Sequence, residues 1–186
     1  MRKMIIVLTS VMILSGLVLA SAYSLFQPRI QENQRLALER SLAALFQGAT
    51  SPSFTRLETE EMTIYRAEDQ AGATLGYAVR VEASGYGGTV ELLAGLSPDT
   101  ADITGVEVVS HLETPGLGGR ITDESFQAQF RGLDPSDAIT YVKNAPPDAD
   151  ENEIQALSGA TISTRAVVSG LNQELQTALS IIEAQE

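Results

Sequence analysis

Ser158, Thr161, Ser163 and Thr164 crowd four hydroxyls into the stretch LSGATISTRAVV, at the onset of a helical pattern. One or two hydroxyls are enough to cap a helix by accepting from its first free N–H groups. Gly159 and Ala160, set between them, leave the backbone open to close approach. The N–H groups at a helix start form a positive dipole end that binds anions. A phosphate suits such a place, and Arg165 in the first turn would add a full charge. Plain capping by Thr161 or Ser163 is the alternative reading of the same residues.

A second stretch with chemical character is HLETPGLGGRI, residues 111–121. It opens on His111, the chain's one histidine, and continues into a loop shaped by Pro115 and three glycines. Glycines in a loop directly after a strand let backbone N–H groups approach a flat ligand. The loop lacks a Lys-Ser/Thr ending and is no P-loop. His111 taken alone reads as a structural residue with satisfied hydrogen bonds, and its place before this loop raises a ligand-facing role beside that reading. The glycines of GYGGTVELLAG, residues 85–95, precede a strand, which excludes a dinucleotide fingerprint. They read equally as a tight turn or as a ligand-facing loop.

Composition removes several classes of function. Twelve Lys and Arg stand against 24 Asp and Glu, a net charge of −12, and the cations are scattered. Phosphate backbones need clustered cations, so nucleic-acid binding is excluded. The absence of cysteine removes disulfides, thiolate metal sites and thiol nucleophiles. A hydrolase acting through Ser158 or Ser163 lacks a convincing base and has no nucleophile elbow.

The elements that must position these residues begin with an anchor. Met4 to Phe26 is an uncharged run of 23 residues, and roughly 20 apolar residues cross a hydrocarbon core. Arg2 and Lys3 on its N-terminal side place the start in the cytoplasm and the rest across the membrane. A cleaved signal peptide ending at the Ala-Ser-Ala of residues 20–22 is the rival reading. Residues 31–46 carry Leu36, Leu38, Leu42, Leu45 and Phe46 in a helical pattern, a stalk or a helix packed on the domain. The expected organisation is therefore a cytoplasmic start and anchor over 1–27, a stalk helix and linker over 28–50, and an exported domain over 51–186.

Within that domain, residues 62–69, 74–83, 88–97 and 103–111 have strand character, separated by connections short enough for antiparallel neighbours. A short helix over 122–132, capped by Thr122 or Asp123, should follow the glycine loop. Residues 138–143 suggest another strand, 144–153 an acidic loop, and 162–183 a final helix. The expected class is α+β: a mostly antiparallel sheet with flanking helices, preceded by one N-terminal transmembrane helix.

The two motifs in this order, HLETPGLGGRI and SGATISTRAVV, behind a single anchor, resemble the FMN-binding domain family. Within it the chain is similar to the G subunits of Rnf-type electron-transport complexes, relatives of the C subunits of sodium-pumping NADH:quinone reductases. The resemblance implies that a flavin transferase joins FMN covalently to Thr161 through a phosphoester, with Ser158, Gly159 and Ala160 shaping the turn. It implies that Glu113, Thr114, Pro115, Gly116, Leu117 and Gly118 line the flavin site, with His111 beside them. It further implies an electron-carrying subunit of a bacterial inner-membrane complex that couples ferredoxin and NAD to ion transport, rather than a stand-alone enzyme. The main domain would be periplasmic, the other subunits its partners, and no metal would be bound. The family usually has aspartate three residues before the motif's first Ser/Thr, where this chain has Gln155. That departure favours the alternative of an exported binding module without flavin.

Overall fold

The computed structural model describes residues 2–48, 51–59, 62–143 and 145–184. The linker expected to end at residue 50 and the start of the acidic loop at 144 thus lie partly outside the described residues. Two compact units divide the chain between Glu39 and Arg40.

The apolar run and the stalk pattern belong to one element, α1, Arg2–Leu45, which continues through Pro28 and whose residues to Glu39 make up the first unit. Proline has no N–H to give to the preceding turn, so the helix forgoes one rung there. The helix is long and apolar enough to cross a membrane. Its apolar side chains from Met4 to Phe26 are exposed, as a lipid-facing segment requires.

The second unit is built on an antiparallel meander. Strands β1 (Ser53–Glu58), β2 (Thr63–Glu68), β3 (Thr74–Ser84), β4 (Thr89–Leu96) and β5 (Ile103–Ser110) lie side by side in chain order. The register pairs Val79 with Ala94, Val81 with Leu92 and Ala83 with Val90. Because side chains alternate along a strand, these residues share one face. The last helix, α3, Thr161–Glu183, covers that face with Val167, Val168, Leu171, Leu175, Ala178 and Ile182, all buried in one core. Their three- and four-residue spacing forms a single helical stripe. Gly170 lets α3 come close: a Cβ there would stand 2.9 Å from the Ala83 Cβ.

The opposite face has its own cover. Leu42 and Phe46 are buried, and the rings of Phe46 and Phe54 lie 5.9 Å apart. Gly95 and Gly105 pair across β4 and β5, and the Leu45 side chain lies close over both. The end of α1 is therefore part of the domain core rather than of a separate stalk.

After β5 the chain runs through a loop into a 3-10 turn, Gly118–Thr122, then the short helix α2 (Glu124–Gln127) and a second 3-10 turn, Ala128–Phe130. Asp123 occupies the N-cap position of α2, as expected, but its side chain makes no capping hydrogen bond. The Thr122 hydroxyl donates to the Gly119 carbonyl at 3.0 Å, and Asp123 takes the Arg120 Nε–H at 3.3 Å. Strand β6 (Thr140–Val142) pairs in parallel with β7 (Glu153–Gln155), a strand that the acidic, proline-bearing sequence conceals. The edge strand β1 is likewise absent from the sequence reading. Its mostly exposed side chains carry no alternation to betray it. The α+β architecture, with its apolar N-terminal helix, matches the sequence expectation.

Candidate functional site

A cavity of about 470 Å³ opens where three segments of the domain meet. The β3–β4 turn contributes Tyr86, and the loop after β5 contributes Glu113, Thr114, Leu117 and Gly118. The start of α3 contributes Gly159 through Ser163. The volume falls in the range of small-molecule and cofactor sites.

The four hydroxyls near the helix start divide into distinct duties. Thr164 is fully buried; its Oγ1 accepts the Leu157 N–H at 3.1 Å and donates to the Ala160 carbonyl at 3.2 Å. Ser163 is buried and donates to Glu113 Oε2 at 2.8 Å. Ser158 is exposed and faces a neighbouring cavity with Arg120, Lys143 and Gln155. Thr161, the first helical residue, stands half-buried at the cavity wall. Neither Thr161 nor Ser163 caps α3: the N-cap position is Ala160, with no side-chain hydrogen bond. Capping therefore does not explain the hydroxyls: no side chain caps the helix start, whose residues from Gly159 to Ser163 line the cavity. Gly159, at φ +78°, makes the turn into the helix in a conformation that favours glycine.

Glu113 is the other organised group. It is only 5% exposed, its Oε1 accepts the Gly87 N–H at 3.0 Å, and its Oε2 accepts the Ser163 hydroxyl. Burial pushes its carboxyl up, but the Gly87, Ser163 and Tyr86 hydrogen bonds and the nearby His111 outweigh this. The net effect holds it below the usual carboxylate value. A Cβ on Gly85 or Gly118 would collide with its oxygens. The glycines that invite a reading as a phosphate or nucleotide loop thus make room for a buried carboxylate.

Of the residues singled out from the sequence, Thr161, Gly159, Ala160, Glu113, Thr114, Leu117 and Gly118 line the cavity. Pro115 and Gly116 form the outward turn of the loop, closed by the Leu117 N–H to the Thr114 carbonyl at 3.1 Å. His111 lines a separate depression with Glu82, Thr89 and Glu91, and its Nδ1 accepts the Glu113 N–H at 3.1 Å. Its observed contact is thus with the backbone of the loop. Arg165 also turns away, into a depression shared with Glu82 and Gln173.

Sequence reasoning missed Tyr86, Ile162 and the role of Ser163. Tyr86 is 74% exposed and Ile162 47%, and with Leu117 they give the cavity an apolar rim. A large aromatic inside a Gly-Tyr-Gly-Gly turn was the available signal, since a turn alone has no use for one.

These features fit a flat aromatic ligand that carries a phosphate: apolar side chains beside the space, uncapped helix backbone for the anion, and a hydroxyl at their junction. Comparisons with known proteins point the same way. The FMN-binding domain family model matches residues 85–176, which include every residue lining the cavity. The G subunit of the ion-translocating oxidoreductase complex of Methanosarcina acetivorans is 34% identical, over 99% of this chain and 95% of that protein. The G subunit of the proton-translocating ferredoxin:NAD(+) oxidoreductase complex of Clostridium ljungdahlii is 31% identical, over 91% and 86%. The crystal structure of Shewanella oneidensis NqrC superposes with a TM-score of 0.57 at 22% identity, covering 73% of each chain, a likeness of fold.

Proposed function

We propose a function from one premise: this chain belongs to the FMN-binding domain family, among the G subunits of ion-translocating oxidoreductase complexes. It is a single-pass membrane subunit that carries electrons on an FMN joined covalently to Thr161. The complex it serves couples ferredoxin and NAD redox chemistry to ion transport, and the other subunits are its partners. Its main domain faces the periplasm, because Arg2 and Lys3 hold the N-terminus in the cytoplasm.

The observation that carries this reading is the position of Thr161. Its hydroxyl belongs to the first residue of an uncapped 23-residue helix, at the wall of the cavity. An ester formed there keeps its remaining negative charge beside the N–H groups of the first turn. Gly159 and Ala160 leave that turn without bulky side chains, and Tyr86, Leu117 and Ile162 offer apolar surface to a ring. Bound FMN supplies the electron-transfer chemistry; the chain supplies attachment, orientation and electrostatics. No acid or base among these residues is required for that task, which accords with a chain of one histidine and no cysteine.

Attachment requires a flavin transferase acting on the exported domain. Gln155 favours the second reading, a binding module that keeps the fold without flavin. Intact mass and peptide mapping, after coexpression with a flavin transferase, decide between them. We expect an FMN-sized addition on the peptide that contains Thr161, absent in Thr161→Ala. An unmodified, colourless chain supports the binding module.

A further inference from the structure

We propose that Glu113 sets the redox potential of this site, as a buried carboxylate in the cavity wall whose negative charge opposes the arrival of electrons. This rests on the flavin reading above and adds to it a residue with a defined electrostatic task.

Glu113 is held from two sides. Its Oε1 accepts the Gly87 N–H at 3.0 Å and its Oε2 the Ser163 hydroxyl at 2.8 Å, and the Tyr86 backbone adds a further hydrogen bond. All three donors are neutral. Among the described residues none of the ion pairs includes Glu113, so no lysine or arginine is paired with it. Its charge is therefore stabilised by dipoles but not cancelled. A buried charge is expensive to keep, and a neutral side chain of the same shape would tie the β3–β4 turn to α3 at lower cost. Gly85 and Gly118 are bare of side chains where they meet it, so the backbone itself is adapted to this carboxylate.

The consequence follows from Coulomb's law. A fixed negative charge beside a partly enclosed cavity raises the energy of each added electron far more than it would in water. The site therefore favours the electron-poor form and works at a low potential. The titratable group facing Glu113 is His111, two residues before it; Tyr86, on the turn opposite, meets the carboxylate through its backbone. Neither is a permanent cation.

The test is a spectroelectrochemical titration of the flavin-loaded, full-length chain at pH 8. Glu113→Gln is expected to move the midpoint potential upward. Leu175→Ala, buried in α3 away from the cavity, is expected to lose stability and keep the wild-type potential. An unchanged potential in Glu113→Gln, or an equal rise in Leu175→Ala, overturns the proposal. If Glu113→Gln does not fold, the wild-type chain offers the same test. Acid that protonates Glu113 should add an upward step to its potential, and Ser163→Ala should move that step to higher pH. Absence of the step overturns the proposal as well.

A second readout needs no flavin. In the Thr161→Ala chain, urea-unfolding stability should fall in acid with Glu113 present and fall less with Glu113→Gln. Identical pH profiles would show a carboxylate that is not held in its charged form, and would overturn the proposal. A chain that carries no flavin defeats the functional reading itself, whereas a loaded chain indifferent to residue 113 defeats only this inference.

Discussion

At Gly118 an added Cβ would meet the Glu113 carboxylate and the Ser163 hydroxyl together. Gly118→Ala should cost about 1–3 kcal/mol, the usual penalty of overpacking a fitted site. Urea unfolding measures that cost, and flavin content should fall with it. The acid behaviour of Glu113 has a definite sign. Its folded value lies below its ordinary value of 4.5, so its stabilisation is complete above that value. It is lost as pH falls from there through the lower folded value. Gln155 is a different case: its side chain is exposed on β7, although its backbone N–H is held by Gln129 Oε1 at 2.7 Å. Gln155→Asp should leave stability within about 0.5 kcal/mol of wild type, as an exposed substitution does. If the transferase reads this position, the flavinylated fraction seen by intact mass should rise.

Among the elements, α3 decides the most. Its N-terminus carries the candidate attachment residue, and its apolar stripe fixes that terminus against the sheet. The helical spacing of Val167, Leu171, Leu175 and Ile182 was plain in the sequence, because a stripe seen at three- and four-residue intervals has few other uses. Gly170 was less legible: only its approach to Ala83 and Val81 on β3 explains it. Gly170→Val should destabilise the domain by about 1–3 kcal/mol and lower the flavinylated fraction, because it wedges α3 away from β3. Thermal unfolding and absorbance at flavin wavelengths check both. The strands β2 to β5 were readable from β-branched runs between turns. Strand β7 was not, because three residues with Glu153 and Gln155 at the ends carry too little pattern. It is held instead by β6 and by Asn152, whose side-chain amide donates to the Asp134 and Asp137 carbonyls.

For the whole molecule, the long N-terminal helix implies that the full chain stays with membranes after an alkaline wash. A chain beginning at Arg40 should partition into the aqueous phase, because it retains Leu42 and Phe46 for the core but loses the exposed apolar run. Fractionation of the two forms, followed by blotting, is sufficient. Protease added to the outer face of right-side-out vesicles should digest the main domain if the N-terminus is cytoplasmic. A net charge of −12 accords with a chain whose partners are the other subunits of its complex.

The amino-acid sequence by itself determined the apolar helix, the α+β class and the two motifs, since each depends on local spacing or residue type. It also pointed to the start of the last helix as a candidate anion site, because a helix start with small residues has the same dipole in any fold. What it left open was which hydroxyl does what. Ser163 meets Glu113 across fifty positions of chain, and Tyr86 joins them from a turn further back. Such contacts arise only when β3, β5 and α3 pack together, because hydrogen bonds between distant residues leave no periodic trace in the chain. Tertiary structure likewise turned Gly85 and Gly118 from loop formers into the walls of a carboxylate site, and Gly87 into one of its donors. It also placed His111 and Arg165 outside the cavity, for the direction of a side chain is set by its neighbours rather than by its position in the sequence.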